Sequence, residues 1–147
     1  RERSLMATII QGITNTFVTK SLAGDIDFDT DTFKMALYSD DATLDSSTSA
    51  YTTTNEVVGT GYVAGGNTLT GATVTQDDTA DVVYITFDSP TTWTGTFSAR
   101  GALIYNSSSS NYSVCVLDFG AVKTIAAQTL TVTLPENTAT TALIRFE

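Results

Sequence analysis

Four aspartates at every second position, Asp25, Asp27, Asp29 and Asp31 in the stretch DIDFDTDTFKMALY, are the densest grouping in this chain of side chains able to hold a cation. A calcium loop of EF-hand type needs acids at positions 1, 3 and 5, Gly at 6 and a bidentate Glu at 12, because about seven oxygens must converge around a tight bend. Counted from Asp25, the sixth residue is Thr30 and the twelfth Ala36; counted from Asp27, they are Thr32 and Tyr38. The motif fails on both counts, and no metal ligand is assigned. In an extended chain alternate side chains share a face, so the stretch predicts a solvated acidic edge with Ile26 and Phe28 turned inward. Thr30 and Asp31 read as turn residues. Charge along such an edge discourages strand-to-strand aggregation.

Catalytic chemistry has little to work with. The chain contains no histidine, which removes the usual general base and every Ser-His, Cys-His and His-metal arrangement. Its single cysteine, Cys115, lies in the apolar run YSVCVLDFG without a basic neighbour and reads as a buried thiol. Nothing singles out a pair of carboxylates of the glycosidase kind. Asp118-Phe119-Gly120 copies the kinase magnesium triplet without the rest of that set, and Gly59-Thr60-Gly61-Tyr62 lacks the lysine and helix of a phosphate loop. Asn106-Ser107-Ser108 and Asn111-Tyr112-Ser113 match the glycosylation triplet by composition. No catalytic or cofactor-binding residue is assigned, no cofactor is implied, and the chain is not expected to be an enzyme. Arg100 stands out inside FSARGALIYN, where a buried guanidinium demands a partner: Asp118 or Asp88, with an interface contact as the alternative. Trp93, Phe97 and Tyr105 read as core aromatics.

The elements that would position these residues are mostly strands. At 147 residues the chain is long enough for one domain with a single core. Thr is abundant and Pro scarce, which favours pleated, half-buried surfaces. Thr32–Ser39 alternates as a strand, with Phe33, Met35 and Leu37 on one face. Gly61–Thr70 predicts two short arms around a turn at Ala64-Gly65-Gly66-Asn67. Further strands are predicted over Thr73–Gln76, Asp81–Phe87, Thr96–Asn106, Tyr112–Phe119, Thr129–Leu134 and Ala142–Phe146, with SSSSN at Ser107–Asn111 as a hairpin loop. Asp81–Phe87, Thr96–Asn106 and Tyr112–Phe119 are apolar on both faces and should lie mid-sheet. The fold class is mainly β: an antiparallel β-sandwich or barrel, jelly-roll or Ig-like, with a short N-terminal helix or arm.

That helix is predicted over Ala7 to about Leu22, where Ile9, Ile13 and Phe17 recur at intervals of four with Ile10 and Val18 beside them and Gly24 as the stop. Ile, Thr and Val are weak helix formers, so the stripe must be buried on something. A neighbouring subunit is the expected cover, which makes Ile9, Ile10, Ile13, Phe17 and Arg100 the candidate interface residues and leaves a chain beginning near Asp25 able to keep its sheets. Met6-Ala7 reads as a translation start, which divides the chain into a non-native or upstream extension with the start Met (1–6), an N-terminal helix or arm (7–24) and a β-domain (25–147).

The sixteen acids outnumber seven scattered cations, for a net charge of −9. Direct nucleic-acid binding, which rests on clustered Lys and Arg, is not expected. No run approaches the roughly 20 apolar residues of a membrane span, and no membrane partner is expected.

DTFKMALYSDDATLDSSTSAYTTTNEV, GTGYVAGGNTLTG, FSARGALIYNSSSSNYSVCVLDFG and LTVTLP…TALIRF, taken in order and spacing, resemble a family of small virion structural proteins of tailed bacteriophages. The likeness spans roughly Asp31 to Phe146, with FKMALY and ARGALIYN followed by VLDFG as its most specific pieces. It implies a non-enzymatic subunit present in many copies, synthesised in the host cytoplasm and placed in the virion. A capsid decoration or cement protein on the outer head surface is the favoured role, with a tail, neck or fibre component, including a host-surface carbohydrate binder, as the alternative. Its implied partners are the major capsid protein or other virion proteins and copies of itself, a trimer being one candidate arrangement.

Overall fold

The computed structural model describes residues 7–147; the expected start Met6 and the extension before it lie outside the described residues. In chain order the elements are β1 (Gly12–Ile13), α1 (Asn15–Ala23), β2 (Phe33–Tyr38), β3 (Asn67–Thr68), β4 (Thr73–Asp77), β5 (Val82–Thr86), β6 (Thr91–Asn106), β7 (Ser113–Val132) and β8 (Ile144–Phe146). Two antiparallel sheets result, one ordered β1-β7-β6-β2-β3 and the other β4-β5-β8. The expected mainly β class is what the chain adopts, as a sandwich rather than a barrel, since neither sheet closes on itself.

The main core lies between the sheets. Phe33, Met35 and Leu37 of β2 and Ile104 of β6 meet Ile85 of β5, Phe87 and Ile144 of β8. Phe28 stacks on Phe33 at 4.6 Å, and Phe33 meets Phe87 edge-on at 5.6 Å. On the opposite face of the large sheet, Ala36, Tyr38, Leu103, Tyr105 and Val116 form a second core with Ile9, Ala42 and Leu44. The cover on that side is irregular chain, not a sheet. Two covers explain why Thr96–Asn106 and Tyr112–Phe119 carry apolar residues on both faces.

β6 and β7 form one long hairpin closed at Ser107–Asn111, as SSSSN predicts, with Ser110 and Asn111 at positive φ. Tyr112–Phe119 and Thr129–Leu134, read from the sequence as separate strands, belong to one 20-residue strand. Irregularities at Gly95/Thr96 and Ala99/Gly101 divide the ladder into a half buried on both faces and a half with one wet face. In the second half Trp93, Phe97, Ile125 and Leu130 pack toward the core, while Thr92, Thr94, Thr96, Thr129 and Thr131 face water. The predicted arms of Gly61–Thr70 reduce to the two residues of β3, and residues 61–66 are irregular. Gly66, at φ 74°, lies so close to the Met35 carbonyl that any Cβ would collide with it.

The N-terminal helix is shorter than its periodicity suggests. Residues 7–13 run extended: Ile9 bridges Leu44 in parallel, and Gly12 and Ile13 pair with Val116 and Cys115. Gly12 would have sat inside the predicted helix at a cost of about 1 kcal/mol relative to Ala. Thr14 is the better starting point, because its Oγ1 accepts the Phe17 N–H at 3.1 Å, and Gly24 ends the helix at φ 83°. Thr14 is also tied to the large sheet, its amide donating to the Val114 carbonyl at 3.0 Å and its Oγ1 accepting from Ser113 Oγ at 2.8 Å.

Val116 is fully buried in the second core, and Thr131 is on the wet face. Val116→Asp is expected to remove about 4 kcal/mol or more, because an unpaired carboxylate has no partner there, and Thr131→Asp no more than about 1 kcal/mol. Circular dichroism and thermal melts of the two variants check this; equal damage would show that the second core is misplaced.

Candidate interaction surface

The predicted interface residues do not form one stripe. Ile9 is buried in the second core and Phe17 in the main core, 6% and 1% exposed respectively, whereas Ile10 is 56% and Ile13 36% exposed. An extended segment followed by a short helix turns residues four apart in different directions. Burial against the chain's own sheets, not against a neighbouring subunit, is therefore what holds Ile9 and Phe17. Arg100 finds the predicted Asp118, and its Nε lies 3.4 Å from Asp40, a partner the sequence did not suggest. Asp88 is not involved: its carboxylate accepts from Thr70 Oγ1 at 2.9 Å. Arg100 thus clamps two adjoining strands to the loop after β2, leaving little of its charge free for a partner.

The aspartate stretch is a turn rather than an extended edge. The Asp31 amide donates to the Asp27 carbonyl at 2.9 Å, and the Asp27 carboxylate accepts from the Asp29 amide at 2.8 Å, which keeps that carboxyl below the usual range. Asp31 accepts from the Asp27 amide and from Asn106 Nδ2, at 2.9 and 2.6 Å. Ile26 is buried and Phe28 half-buried, as alternation predicts, with Thr30 and Asp31 in the turn. Among the described residues no three acidic or Cys side chains gather in a group able to hold a metal. Cys115 is buried where β7 pairs with Ile13 of β1, and burial pushes its thiol up to about 12.

An apolar groove supplies what the predicted stripe does not. It lies between α1 and the small sheet, encloses about 340 Å³, and has Phe17, Ile26, Phe28 and Ile85 at its floor. Its rim is exposed: Leu22 at 86%, Val74 at 48%, Phe146 at 42% and Val18 at 36%. Leu22 and Val18 were legible as part of an amphipathic helix. Val74 and Phe146 were not, because no local pattern indicates that β4 and β8 flank the helix.

Sequence reasoning also missed Glu56, which is 6% exposed. Its Oε1 accepts from Tyr62 OH at 2.6 Å and from the Gly65 amide at 2.7 Å, and its Oε2 accepts from Tyr51 OH at 2.7 Å. Tyr105 OH donates to the Gly65 carbonyl at 2.8 Å, and Tyr38 OH to the Thr52 carbonyl at 2.6 Å. The carboxylate gathers donors from within the irregular 39–66 segment, and the segment is stitched to β2 by the Leu37 amide donating to Tyr62 OH at 2.9 Å and by Tyr38, and to β6 by Tyr105. The chemistry of Glu56 is attachment.

The chain matches no protein-family model, no curated protein and no solved structure.

Burial, reinforced by the Glu56 charge, holds the phenols of Tyr38, Tyr51 and Tyr62 well above 10 and pushes Tyr105 up to about 12. A raised folded-state value means that the unfolded chain loses its phenolic protons first. The stability these tyrosines contribute is complete below about pH 10 and declines toward pH 12, by up to about 1.4 kcal/mol per pH unit for each group. Tyrosinate absorbance of these four phenols should rise together with loss of the β signal, not before it. Glu56→Ala, which strands two buried donors and the half-buried Tyr51 hydroxyl, should cost about 3 kcal/mol in a denaturant titration.

Proposed function

We propose that this chain is a structural, non-enzymatic subunit of a tailed-phage virion, and within that class a decoration or cement protein that binds the outer surface of the head shell. The observation that carries the reading is the apolar groove with Leu22, Val74 and Phe146 on its rim. On a chain with net charge −9, such a patch is the surface that gains most from being covered by another protein. A stable contact of this kind buries roughly 1,200–2,000 Å² in total, so the groove would be the centre of a larger footprint. Resemblance to small virion proteins supplies the partner class: the major capsid protein or another virion protein, reached from the host cytoplasm where the chain is made. Many copies on a lattice then add avidity to modest single contacts.

A tail, neck or fibre role with carbohydrate binding draws on a different feature. A polar cleft of about 380 Å³ is lined by Asn67, Thr70, Asp88, Thr91 and Thr92, groups suited to sugar hydroxyls. A glycan screen addresses that alternative directly.

Density or labelling of the intact particle separates the two. Decoration requires the protein to be spread over the head lattice; confinement to the tail would overturn it. Leu22→Asp and Phe146→Asp, both at exposed positions, should leave the fold intact and weaken binding to isolated heads by at least about tenfold, or about 1.4 kcal/mol. Undiminished binding of both variants would remove the groove from the interface.

A further inference from the structure

The sheets end in strand edges of very different character. β3 and β8 are two and three residues long. β4 runs into Asp77 and Asp78, and the outer edge of β6 is partly occupied by the Thr60 carbonyl, 2.9 Å from the Thr96 amide, and by Asn67 Nδ2, 2.8 Å from the Thr92 carbonyl. These are the short, charged or covered edges by which sheet proteins avoid unwanted pairing.

The outer edge of β7 is protected more sparingly, by the single charge of Lys123 and by irregularities at either end. β1 covers it at Cys115 and Val116, and Gln11 Oε1 accepts the Asp118 amide at 3.1 Å; the arm then turns away to Leu44. Positive φ at Gly120 and Ala127 bends the strand at either end of Ala121–Ala126, AVKTIA, in which Lys123–Ala126 run in regular register opposite Thr96–Ala99 and Ala121 and Val122 lie in the break opposite Arg100. The direction of its free backbone groups follows from the pairing. The Thr96 amide points away from β7, so Phe97, opposite Ile125, points its amide and carbonyl toward it. Alternation then aims the N–H and C=O of Thr124 and Ala126 outward, and among the described residues no chain segment receives them. What completes such a row is another extended strand.

We propose that Ala121–Ala126 is a strand-pairing site and that its occupant is the same segment of a second copy, joined antiparallel across a two-fold axis at Thr124. The charge pattern favours self-pairing. The segment has no acid in a chain carrying sixteen, so two copies of net charge −9 meet where neither presents a carboxylate. With Thr124 facing itself, Val122 lies opposite Ala126 and Lys123 opposite Ile125, so no like charges are opposed and a favourable Thr–Thr pair sits at the centre. The resulting dimer continues the large sheet from one copy into the next, an isologous contact distinct from a trimer, the candidate arrangement named from the resemblance. It does not depend on the virion reading, and it leaves the α1 groove on each copy free.

Sedimentation equilibrium of the full chain tests the pairing. A concentration-dependent dimer is expected. Thr124→Pro removes one outward amide without touching the β6 ladder, and Thr124→Lys places two charges face to face; each should raise the dimer dissociation constant by at least about tenfold with circular dichroism unchanged. Thr124→Cys should crosslink two copies under oxidation, because directly paired strands hold such Cα atoms about 5.5 Å apart, within disulfide range; Thr94→Cys, on β6, should not. A monomer at every concentration overturns the proposal. So does a dimer that resists all edge substitutions, or one abolished by Leu22→Asp alone, which would assign self-association to the groove.

Discussion

Burial of both faces of β2, β6 and β7 is the constraint on which the rest of the molecule depends. A sheet with one wet face could stop at a single cover. Here Met35, Leu37 and Ile104 point one way and Ala36, Tyr38, Leu103 and Val116 the other, so two covers are required. The small sheet provides one. The other is the segment from Ser39 to Gly66, which has no ladder of its own and therefore needs polar anchors to hold its backbone in place. Glu56 is the chief anchor, and the placement of four tyrosines around one buried carboxylate follows from that need.

The same constraint assigns roles along the N-terminal segment. Ile9 completes the second cover and Phe17 the first, so a segment of fewer than twenty residues spans both layers and is fixed to β7 between them through Thr14 and Ser113. This leaves Ile10, Ile13, Val18 and Leu22 on the outside. The exposed apolar groups are what remain when two cores have been filled, and those on α1 flank the groove.

Much of the sandwich was legible because strong alternation or continuous apolar character marks strands whose environment is uniform. Thr32–Ser39, Asp81–Phe87 and Ala142–Phe146 each contain an observed strand, and the Arg100–Asp118 pair follows from a lone cation in an apolar run. Legibility failed where the environment changes within an element. β7 passes from full burial to exposure at Gly120, and its middle, small and weakly patterned, concealed the continuity of Tyr112–Phe119 with Thr129–Leu134. Residues 7–23 failed for a related reason: an interval of four was shared by an extended segment and a helix. Glu56 gave no signal at all, since TTTNEVVG resembles any polar loop until Tyr51, Tyr62 and Gly65 are brought around it by the fold.

The closure of β6 onto β7 through a six-residue connection bears on the order of assembly. Such a hairpin is local and can form in microseconds once both strands exist, whereas β2 must find β6 across a long intervening stretch of chain. Yet β2, Phe17 and Phe33 leave the ribosome first. Until the later half has emerged they have no sheet to join, so their apolar side chains wait unsatisfied or associate transiently with whatever is near. Pairing of Ile13 with Cys115 at the edge of the large sheet likewise has to wait for that hairpin.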